Sequence, residues 1–404
     1  MNMNRSSESP LFIFIMICFI ATIPSICSDI FVPSIPAISD SFSVSVDQIQ
    51  LTISTLMCSF ALSQLLYGPM SQAYGRKKPL IFGLSLIFIG TVICAYSTNI
   101  RILTLGHIIE GFGLGACSLF RAILRDCYDG QELRLKSSYA NLLMTLFYPA
   151  APMIGGFLQV LFGWRSNFIF LASLSFICFA LLLVFPETNH HRNTDQIKPS
   201  YIRKVYLLLL THNSFVGYSL CSMVAMTGYF SWVLSIPLYI IKHLHHSPDQ
   251  LGTAMLIISS TSILVGGTIN NKLVRYLSVD DILKFAWSFL LLVSFLPLIL
   301  YYFYGLNALS LYFSMWLYFF GTAFLWPNLF SKAFAPFQHL SGQAGSLYGN
   351  AQTMGAFFSA ILTGYFSEHN PFGLCTILIL SNIISIFIYF YAIVPHQQTI
   401  HHNS

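Results

Sequence analysis

The stretch GPMSQAYGRKKP, residues 68–79, joins two long apolar runs and carries three consecutive cations near its end. Its two glycines, Gly68 and Gly75, permit close backbone approach and a tight turn. The flanking residues 49–70 and 79–96 are mostly apolar, and about 20 such residues can cross a bilayer as a helix. The stretch therefore predicts two membrane-spanning helices joined by a short basic loop.

The same pattern of long apolar runs extends over the whole chain of 404 residues. It is 55% hydrophobic and 8% charged, with a mean hydropathy of +0.70, which excludes a soluble globular protein. The runs are too long for the strands of a membrane barrel, which need about 9–11 residues. We predict an all-α integral membrane protein with twelve transmembrane helices. The predicted spans are residues 11–36, 49–70, 79–96, 102–124, 138–162, 168–185, 214–240, 251–269, 282–304, 308–330, 342–366 and 372–393.

The positive charges predict the orientation of these spans. If the N-terminus is cytoplasmic, sixteen of the nineteen Lys and Arg residues lie in inner loops or at inner helix ends, and only Arg101, Arg165 and Lys242 lie outside. This is a strong positive-inside bias, so both termini are predicted to be cytoplasmic. The asymmetry explains the net charge of +5 without a nucleic-acid partner. The first run lacks a signal-peptide cleavage site and is predicted to remain as the first helix.

One polar segment, ETNHHRNTDQIKPSYIRK at residues 187–204, separates the sixth and seventh spans. It divides the chain into a predicted N-terminal six-helix bundle (residues 1–186), a cytoplasmic central loop (187–204) and a C-terminal six-helix bundle (205–404). Two halves of similar length fit a transporter that rocks about a midplane site better than a channel or a membrane enzyme.

Only two of the fourteen acidic residues, Asp29 and Glu110, lie deep inside apolar spans. A carboxylate in hydrocarbon costs roughly 2.5–3.5 kcal/mol on insertion scales and is by default a functional hypothesis. Asp29 precedes Asp40 by eleven residues and Glu110 follows Arg101 by nine, which at about 1.5 Å per residue puts both at similar depth. Proton or substrate-cation binding is the favoured interpretation. The alternative is that one acid only donates a hydrogen bond across helices in its protonated form.

His107 lies one helical turn before Glu110 on the same helix face. Histidine titrates near neutral pH, so a relay is possible in which protonated His107 pairs with Glu110 and neutral His107 releases it. The alternative is a packed, hydrogen-bonded histidine.

Four segments together resemble the major facilitator superfamily, and specifically its bacterial Bcr/CflA-type drug:proton antiporters. The loop GPMSQAYGRKKP is similar to the signature G-x-L-x-D-R-x-G-R-[KR]. The first span contains SDIFVPSIP, similar to T-D-M-Y-L-P-A-L-P. The fourth span follows L-x-x-x-R-x-x-Q-G-x-G and then reads RAILRD, close to R-A-I-V-R-D. The fifth contains APMIGG, similar to the antiporter signature G-P-x-x-G-G. The matched segments are residues 68–79, 28–36, 103–126 and 151–156.

Four positions depart from these family patterns. In the loop, Gln72 replaces the signature Asp and Ala73 replaces its first Arg. In the fourth span, His107 stands where the family has a membrane Arg, and Glu110 stands where it has Gln. Gating and proton coupling are where this chain is expected to differ from the family.

The resemblance implies a two-bundle fold that exports small amphiphilic compounds, such as an antibiotic or a siderophore, in exchange for protons. It also implies multidrug resistance, a bacterial inner-membrane location and a monomer. In this fold the first and fourth helices line the central cavity, so Asp29 and Glu110 are expected to face one another across a water-filled pocket. A proton-linked nutrient importer is the alternative within transport.

No enzyme activity and no cofactor are expected. The motifs H-E-x-x-H and G-x-S-x-G are absent. No G-x-x-x-x-G-K-[ST] nucleotide loop is present either, so the proton gradient is the predicted energy source. The nine cysteines lie singly, without a CxxC pair, which favours packing residues over disulfides or metal ligands; no metal is expected.

The basic loop is interpreted as a gating loop formed by Gly68, Gly75, Arg76, Lys77 and Lys78. Its cations would meet helix C-termini or acids at the inner end of the fourth span. The alternative is that they only determine topology. The possible acidic partners are Asp126, Asp129 and Glu132.

In the fifth span, Pro152 removes a helical hydrogen bond and Gly155 and Gly156 allow a neighbouring backbone close. We expect a seal against the counterpart helix of the other half; ordinary small-residue packing is the alternative. For the substrate pocket, Tyr229, Trp232 and Trp316 are candidate aromatic contacts. Lipid-facing placement is the alternative for each of them.

Overall fold

The computed structural model describes residues 10–189, 192, 194–366 and 371–393. These residues form helices and turns, with no strand among them. Six long helices occupy the first half of the chain. They are α1 (Leu11–Phe42), α2 (Val46–Tyr74), α3 (Lys77–Ala95), α4 (Ile100–Cys127), α5 (Gly130–Phe162) and α6 (Arg165–Val184).

Six further long helices follow in the second half. They are α7 (Asn213–His243), α8 (Pro248–Leu273), α9 (Val279–Tyr304), α10 (Ala308–Phe337), α11 (Ser341–Tyr365) and α12 (Phe372–Tyr391). All but α11 are apolar enough to cross a membrane by composition alone. α11 has the length of a span but is less apolar, because its first half is rich in Gly, Ser and amide side chains. The predicted class, two six-helix membrane bundles, is confirmed.

The two halves meet through matched pairs of helices. α2 packs against α11, and α5 packs against α8, so the second and fifth helices of each half cross to the other half. Between α2 and α11, the Gln64 amide donates to Thr353 Oγ1 (2.9 Å) and the Asn350 amide donates to the Ala61 carbonyl (2.7 Å). Polar side chains at this seam therefore find hydrogen-bond partners in the other half.

The segment between the halves contains a helix that the sequence prediction did not resolve. Pro199–Leu210, here called the linker helix, begins with Pro199 at its first position, where a missing N–H costs nothing. The Tyr206 hydroxyl donates to the Leu65 carbonyl of α2 (3.1 Å). The predicted boundary at residue 205 falls inside this helix, and the domain limits stay predictions.

Each half fixes the loop between its second and third helices to the end of its fourth helix. In the first half the Arg76 guanidinium contacts Asp126 (2.7 Å). In the second half the partners are reversed in charge: Lys332 on α10 contacts Asp280 in the first turn of α9 (2.6 Å), and the Tyr389 hydroxyl also donates to Asp280 (2.9 Å). The two halves therefore use equivalent positions with opposite polarity.

Candidate functional site

A cavity of about 440 Å³ lies between the two halves. Its walls come from α1, α2, α4, α5, α7, α11 and the linker helix. At one end it is bordered by Arg76, Arg125 and Asp126, close to the basic loop, and it extends inward to Ser28 and Tyr148. The cavity is therefore open towards the side that the positive charges predict to be cytoplasmic.

On the opposite side, backbones of the two halves pack against one another without intervening side chains. A Cβ added at Gly156 would overlap the carbonyl of Pro248 at the start of α8, and one at Gly252 would overlap the carbonyl of Pro152. Gly155 packs just as closely on the Ile30 carbonyl of α1. The expected close approach is present, but the partner of α5 is α8; the expectation of the counterpart helix, α11, was wrong, since α11 pairs with α2.

Asp29 lies at a break in α1. The first helical segment, Pro10–Asp29, ends there, and a short 3₁₀ turn at Val32–Ser34 follows before the helix resumes. Pro33 explains the break, because it has no N–H to bond the carbonyl of Asp29 four residues earlier. The carboxyl is 3% exposed, and its Oδ1 has no hydrogen-bond donor among the described residues.

Two tyrosines from different halves lie within electrostatic range of Asp29. They are Tyr148 of α5, which lines the cavity, and Tyr229 of α7. Ser28, next to Asp29 in sequence, also lines the cavity. Asp29 is therefore a buried carboxyl beside the cavity, at the junction of the two halves.

Glu110 and His107 occupy a different place. Both are buried inside the N-terminal bundle and do not line the cavity. The backbone of Glu110 packs directly on Gly90 of α3, and its carboxyl group faces the thiol of Cys27. In this conformation the expected arrangement, with Asp29 and Glu110 facing one another across a shared pocket, is wrong for Glu110.

His107 is held by α2. Its Nδ1 lies 3.1 Å from Thr52 Oγ1, and its ring packs against Phe31 and Phe168 with centroids 5.3 and 5.8 Å away. A ligating nitrogen of His107 lies within 4.8 Å of a carboxylate oxygen of Glu110. The two residues are therefore neighbours as the helical spacing predicts, and the relay itself stays a prediction.

The basic loop is held to the end of α6. Gly75 adopts φ +90°, and a side chain there would overlap the Glu187 carboxylate. That carboxylate accepts from the backbone N–H of Arg76 (2.7 Å) and of Lys77 (3.3 Å). Gly68 is different: a Cβ there would make only ordinary contact with Ser346, so close approach does not require this glycine.

The cations of the loop have unequal environments. Arg76 is buried, donating to Asp126 and to Ser71 Oγ (2.8 Å), whereas the Lys77 ammonium donates to the Leu183 carbonyl and Lys78 is exposed. These described contacts all lie within the N-terminal half. In this conformation the loop ties that bundle together, and its gating role stays a prediction.

Replacing Arg76 with Ala should lower the free energy of unfolding by about 2–3 kcal/mol, because Asp126 would keep a partly buried charge without its partner. Thermal unfolding of the purified protein measures this. Lys78→Ala is the matched control and should stay within about 0.5 kcal/mol of the parent. Equal stability of the two variants would contradict the structural role of the pair.

The three predicted aromatic residues lie apart. Tyr229 stacks on Phe319 (4.4 Å between centroids), close to Asp29. Trp232 is fully buried within the C-terminal half. Trp316 is partly exposed and donates to Thr261 of α8 (2.9 Å). None of the three lines the cavity.

Sequence reasoning missed most of the cavity wall. The cavity wall includes Gln64, Tyr148, Gln352 and Thr353, to which the sequence pattern assigns no role. Arg121 is the most informative omission. It borders the cavity, its guanidinium lies over its neighbour Phe120 (4.7 Å), and the like-charged Arg125 lies within electrostatic range of it. The match to RAILRD could have flagged it.

Two six-helix bundles around a cavity, with a buried carboxyl at a helix break between them, are the architecture of a membrane transporter. The family model of the Major Facilitator Superfamily matches residues 13–360, and the chain belongs to this family. Its members are transporters and not enzymes, so the chain is a multi-pass membrane protein that carries a small-molecule substrate.

Curated relatives include multidrug resistance protein D of Escherichia coli (strain K12), 24% identical over 87% of this chain and 88% of the relative. A bicyclomycin resistance protein homolog of Haemophilus influenzae is 24% identical over 71% of each chain. Among solved structures, a partially occluded inward-open conformation of the xylose transporter XylE from E. coli superimposes with a TM-score of 0.72. It is 14% identical, and the match covers 95% of this chain and 97% of that one.

Proposed function

We propose that this protein exports small amphiphilic compounds in exchange for protons, by alternating access of the cavity to the two sides of the membrane. The single observation that carries the proposal is Asp29, a carboxyl buried beside the cavity where α1 breaks and the halves meet. The names of the curated relatives, which refer to multidrug and bicyclomycin resistance, support drug efflux as the direction.

Asp29 is suited to exchange one positive charge for another. Its protonated form is neutral, whereas a cationic substrate group in the cavity would stabilise the ionised carboxylate and so favour release of the proton. A protonated Asp29 and an Asp29 bound to a substrate cation are both electrically neutral. A neutral group costs least to keep in surroundings of low dielectric constant while the two halves rock around it. Proton entry and substrate exit would then be alternatives at one carboxyl.

The tight α5–α8 packing supports an alternating cycle. The halves touch by backbone at Gly156 and Gly252 on one side, while the cavity is open on the other. Rocking of the two bundles would separate this seal and close the cavity mouth. The positive-inside bias of sixteen of the nineteen cations supports an orientation with both termini in the cytoplasm, in a bacterial inner membrane. The unit of transport would be a monomer.

The decisive test combines direction and coupling. Purified protein in proteoliposomes with an imposed pH gradient should dissipate that gradient when a transported compound is added, in a screen of cationic, neutral and anionic amphiphiles. Cells that express the protein should accumulate less of the active compound than cells without it. Raised accumulation would instead indicate the alternative, a proton-linked importer.

Arg121 should set the charge preference of the cavity. Replacing it with Gln removes a cation from the cavity wall. The half-saturating concentration should fall about two- to five-fold for cationic compounds and rise for anionic ones, as expected for about 0.5–1 kcal/mol of screened interaction. Half-saturation in the vesicle assay measures this. Arg101→Gln, at the exposed opposite end of α4, is the control. A uniform change for both charge classes would contradict a role in charge selection.

A further inference from the structure

The interior of the N-terminal bundle holds a compact group of three side chains with metal-ligating atoms. Cys94 of α3 and His107 and Glu110 of α4 each offer one such atom, and these atoms lie within 4.8 Å of one another. All three residues are buried, with exposures of 0%, 1% and 0%. The group lies away from the cavity and has no part in the transport chemistry proposed for Asp29.

Polar atoms of His107 and Glu110 are left without an N–H or O–H partner, and a weakly donating thiol, that of Cys27, faces the Glu110 carboxyl. Among the described residues, no N–H or O–H group donates to either Glu110 carboxyl oxygen, and His107 Nε2 has no hydrogen-bond partner. Buried polar atoms are normally satisfied, because an unpaired one costs about 1–3 kcal/mol and a charged one more. The Cys94 thiol donates only a weak hydrogen bond, to the Leu103 carbonyl (3.7 Å). Together with the unsatisfied atoms of His107 and Glu110, it points to a ligand that the protein itself does not supply.

The tautomer of His107 follows from its neighbours. The Thr52 hydroxyl donates its hydrogen to the Ile49 carbonyl (2.8 Å). Thr52 Oγ1 can then only accept from His107, so the imidazole proton lies on Nδ1 (3.1 Å). Nε2 therefore carries the lone pair. A histidine held by one nitrogen and free at the other is the usual arrangement of a metal ligand.

The charges and ligand types fit one borderline-soft divalent metal ion. A Cys94 thiolate, a Glu110 carboxylate and a neutral His107 carry two negative charges in total, which balance a 2+ ion and leave the group neutral in a medium of low dielectric constant. Sulfur, imidazole nitrogen and one carboxylate oxygen match Zn²⁺ rather than Mg²⁺ or Ca²⁺. The Cys27 thiol, which faces Glu110, would hydrogen-bond the carboxylate as an outer ligand partner.

We infer that Cys94, His107 and Glu110 bind one Zn²⁺-class ion in the core of the N-terminal bundle, at a site separate from the transport cavity. Metal–ligand bonds of about 2.0–2.3 Å would draw the three atoms together by roughly 1 Å. The ion would pin α3 to α4, and it replaces the expectation that every cysteine serves only in packing.

The test is equilibrium metal binding by the full-length protein in lipid nanodiscs after removal of metal with a chelator. Titration with Zn²⁺ should show one bound ion per chain, and Co²⁺ should give the visible d–d and thiolate charge-transfer absorption of a tetrahedral site. Cys94→Ala, His107→Gln and Glu110→Gln should each weaken Zn²⁺ binding by at least about 100-fold, and Thr52→Val by about 10-fold.

The matched control is Cys221→Ala, which removes an equally buried thiol in the other half and should leave binding unchanged. Circular dichroism and thermal unfolding identify any variant that fails to fold, and Glu110→Gln retains the shape of the side chain. Absence of stoichiometric Zn²⁺ binding by the folded parent would overturn the inference, as would equal binding by the folded Cys94 and His107 variants. Asp29→Asn should bind Zn²⁺ normally, so failure of the transport proposal would leave this result unaffected.

Discussion

Replacing Asp29 with Asn should abolish substrate-driven proton movement and leave the protein folded. Asn cannot release or accept a proton and cannot neutralise a cation. The other carboxylate described at the cavity wall, Asp126, is paired with Arg76 (2.7 Å) and should not replace Asp29. Dissipation of an imposed pH gradient by an added compound should fall to the level of empty vesicles. The thermal midpoint should stay close to that of the parent, because the amide has nearly the same size and shape as the carboxyl that it replaces.

Asp40→Asn is the matched control for this prediction. Asp40 lies at the exposed end of the same helix, and its neutralisation should change transport little. Substrate counterflow, measured without a pH gradient, distinguishes two outcomes for Asp29→Asn. If counterflow persists while pH coupling is lost, Asp29 binds only the proton. If both are lost, Asp29 also binds the substrate. Retention of full pH coupling would contradict the proposed function.

The sequence predicts which residues lie inside apolar spans better than it predicts the direction in which they face around a helix axis. Asp29 and Glu110 were found because a carboxyl stands out in an apolar span, and their offsets from the outer helix ends predict similar depths. Their surroundings differ. Asp29 lies beside the cavity where Pro33 interrupts α1, whereas Glu110 lies inside the bundle, where glycines allow α4 to pack closely on α3. Gly90 and Gly106 bring those two helices into backbone contact, and this contact is not visible in the spacing of either residue alone.

Residues that line the cavity are equally hard to recognise. Tyr148 is one of 21 tyrosines, and nothing in its local sequence distinguishes it from a lipid-facing aromatic residue. α11 is informative in the opposite sense. Its low hydropathy weakens it as a predicted span, yet the same Gly, Ser and Gln residues are those that face the cavity and α2. A span that is less apolar than its neighbours is itself a sign of a polar cavity wall.

The second large effect is expected at the α5–α8 seal. Replacing Gly156 with Leu should abolish transport and hold the two halves apart on that side, because a Cβ at this position already overlaps the backbone of Pro248 and Asp249 in the other half. The substitution leaves the interior of each bundle unchanged, so the protein should still fold. Pulsed electron-spin distances between labels at Phe162→Cys and His245→Cys, in a background without exposed native cysteines, should lengthen relative to the parent.

Two other glycines make this prediction specific. Gly155, one residue earlier, packs on Ile30 of the same half, so Gly155→Leu should overpack the bundle and lower the free energy of unfolding by about 1–3 kcal/mol or more. Gly267 of α8 has open space around its Cβ position, so Gly267→Leu should alter neither stability nor the labelled distance. The two adjacent glycines of one motif would then have different roles: Gly155 in the stability of the N-terminal bundle, and Gly156 in the movement of the two halves. If Gly156→Leu instead lowered stability as Gly155→Leu does without opening the seal, the close packing at Gly156 would serve the static fold and not the rocking of the halves.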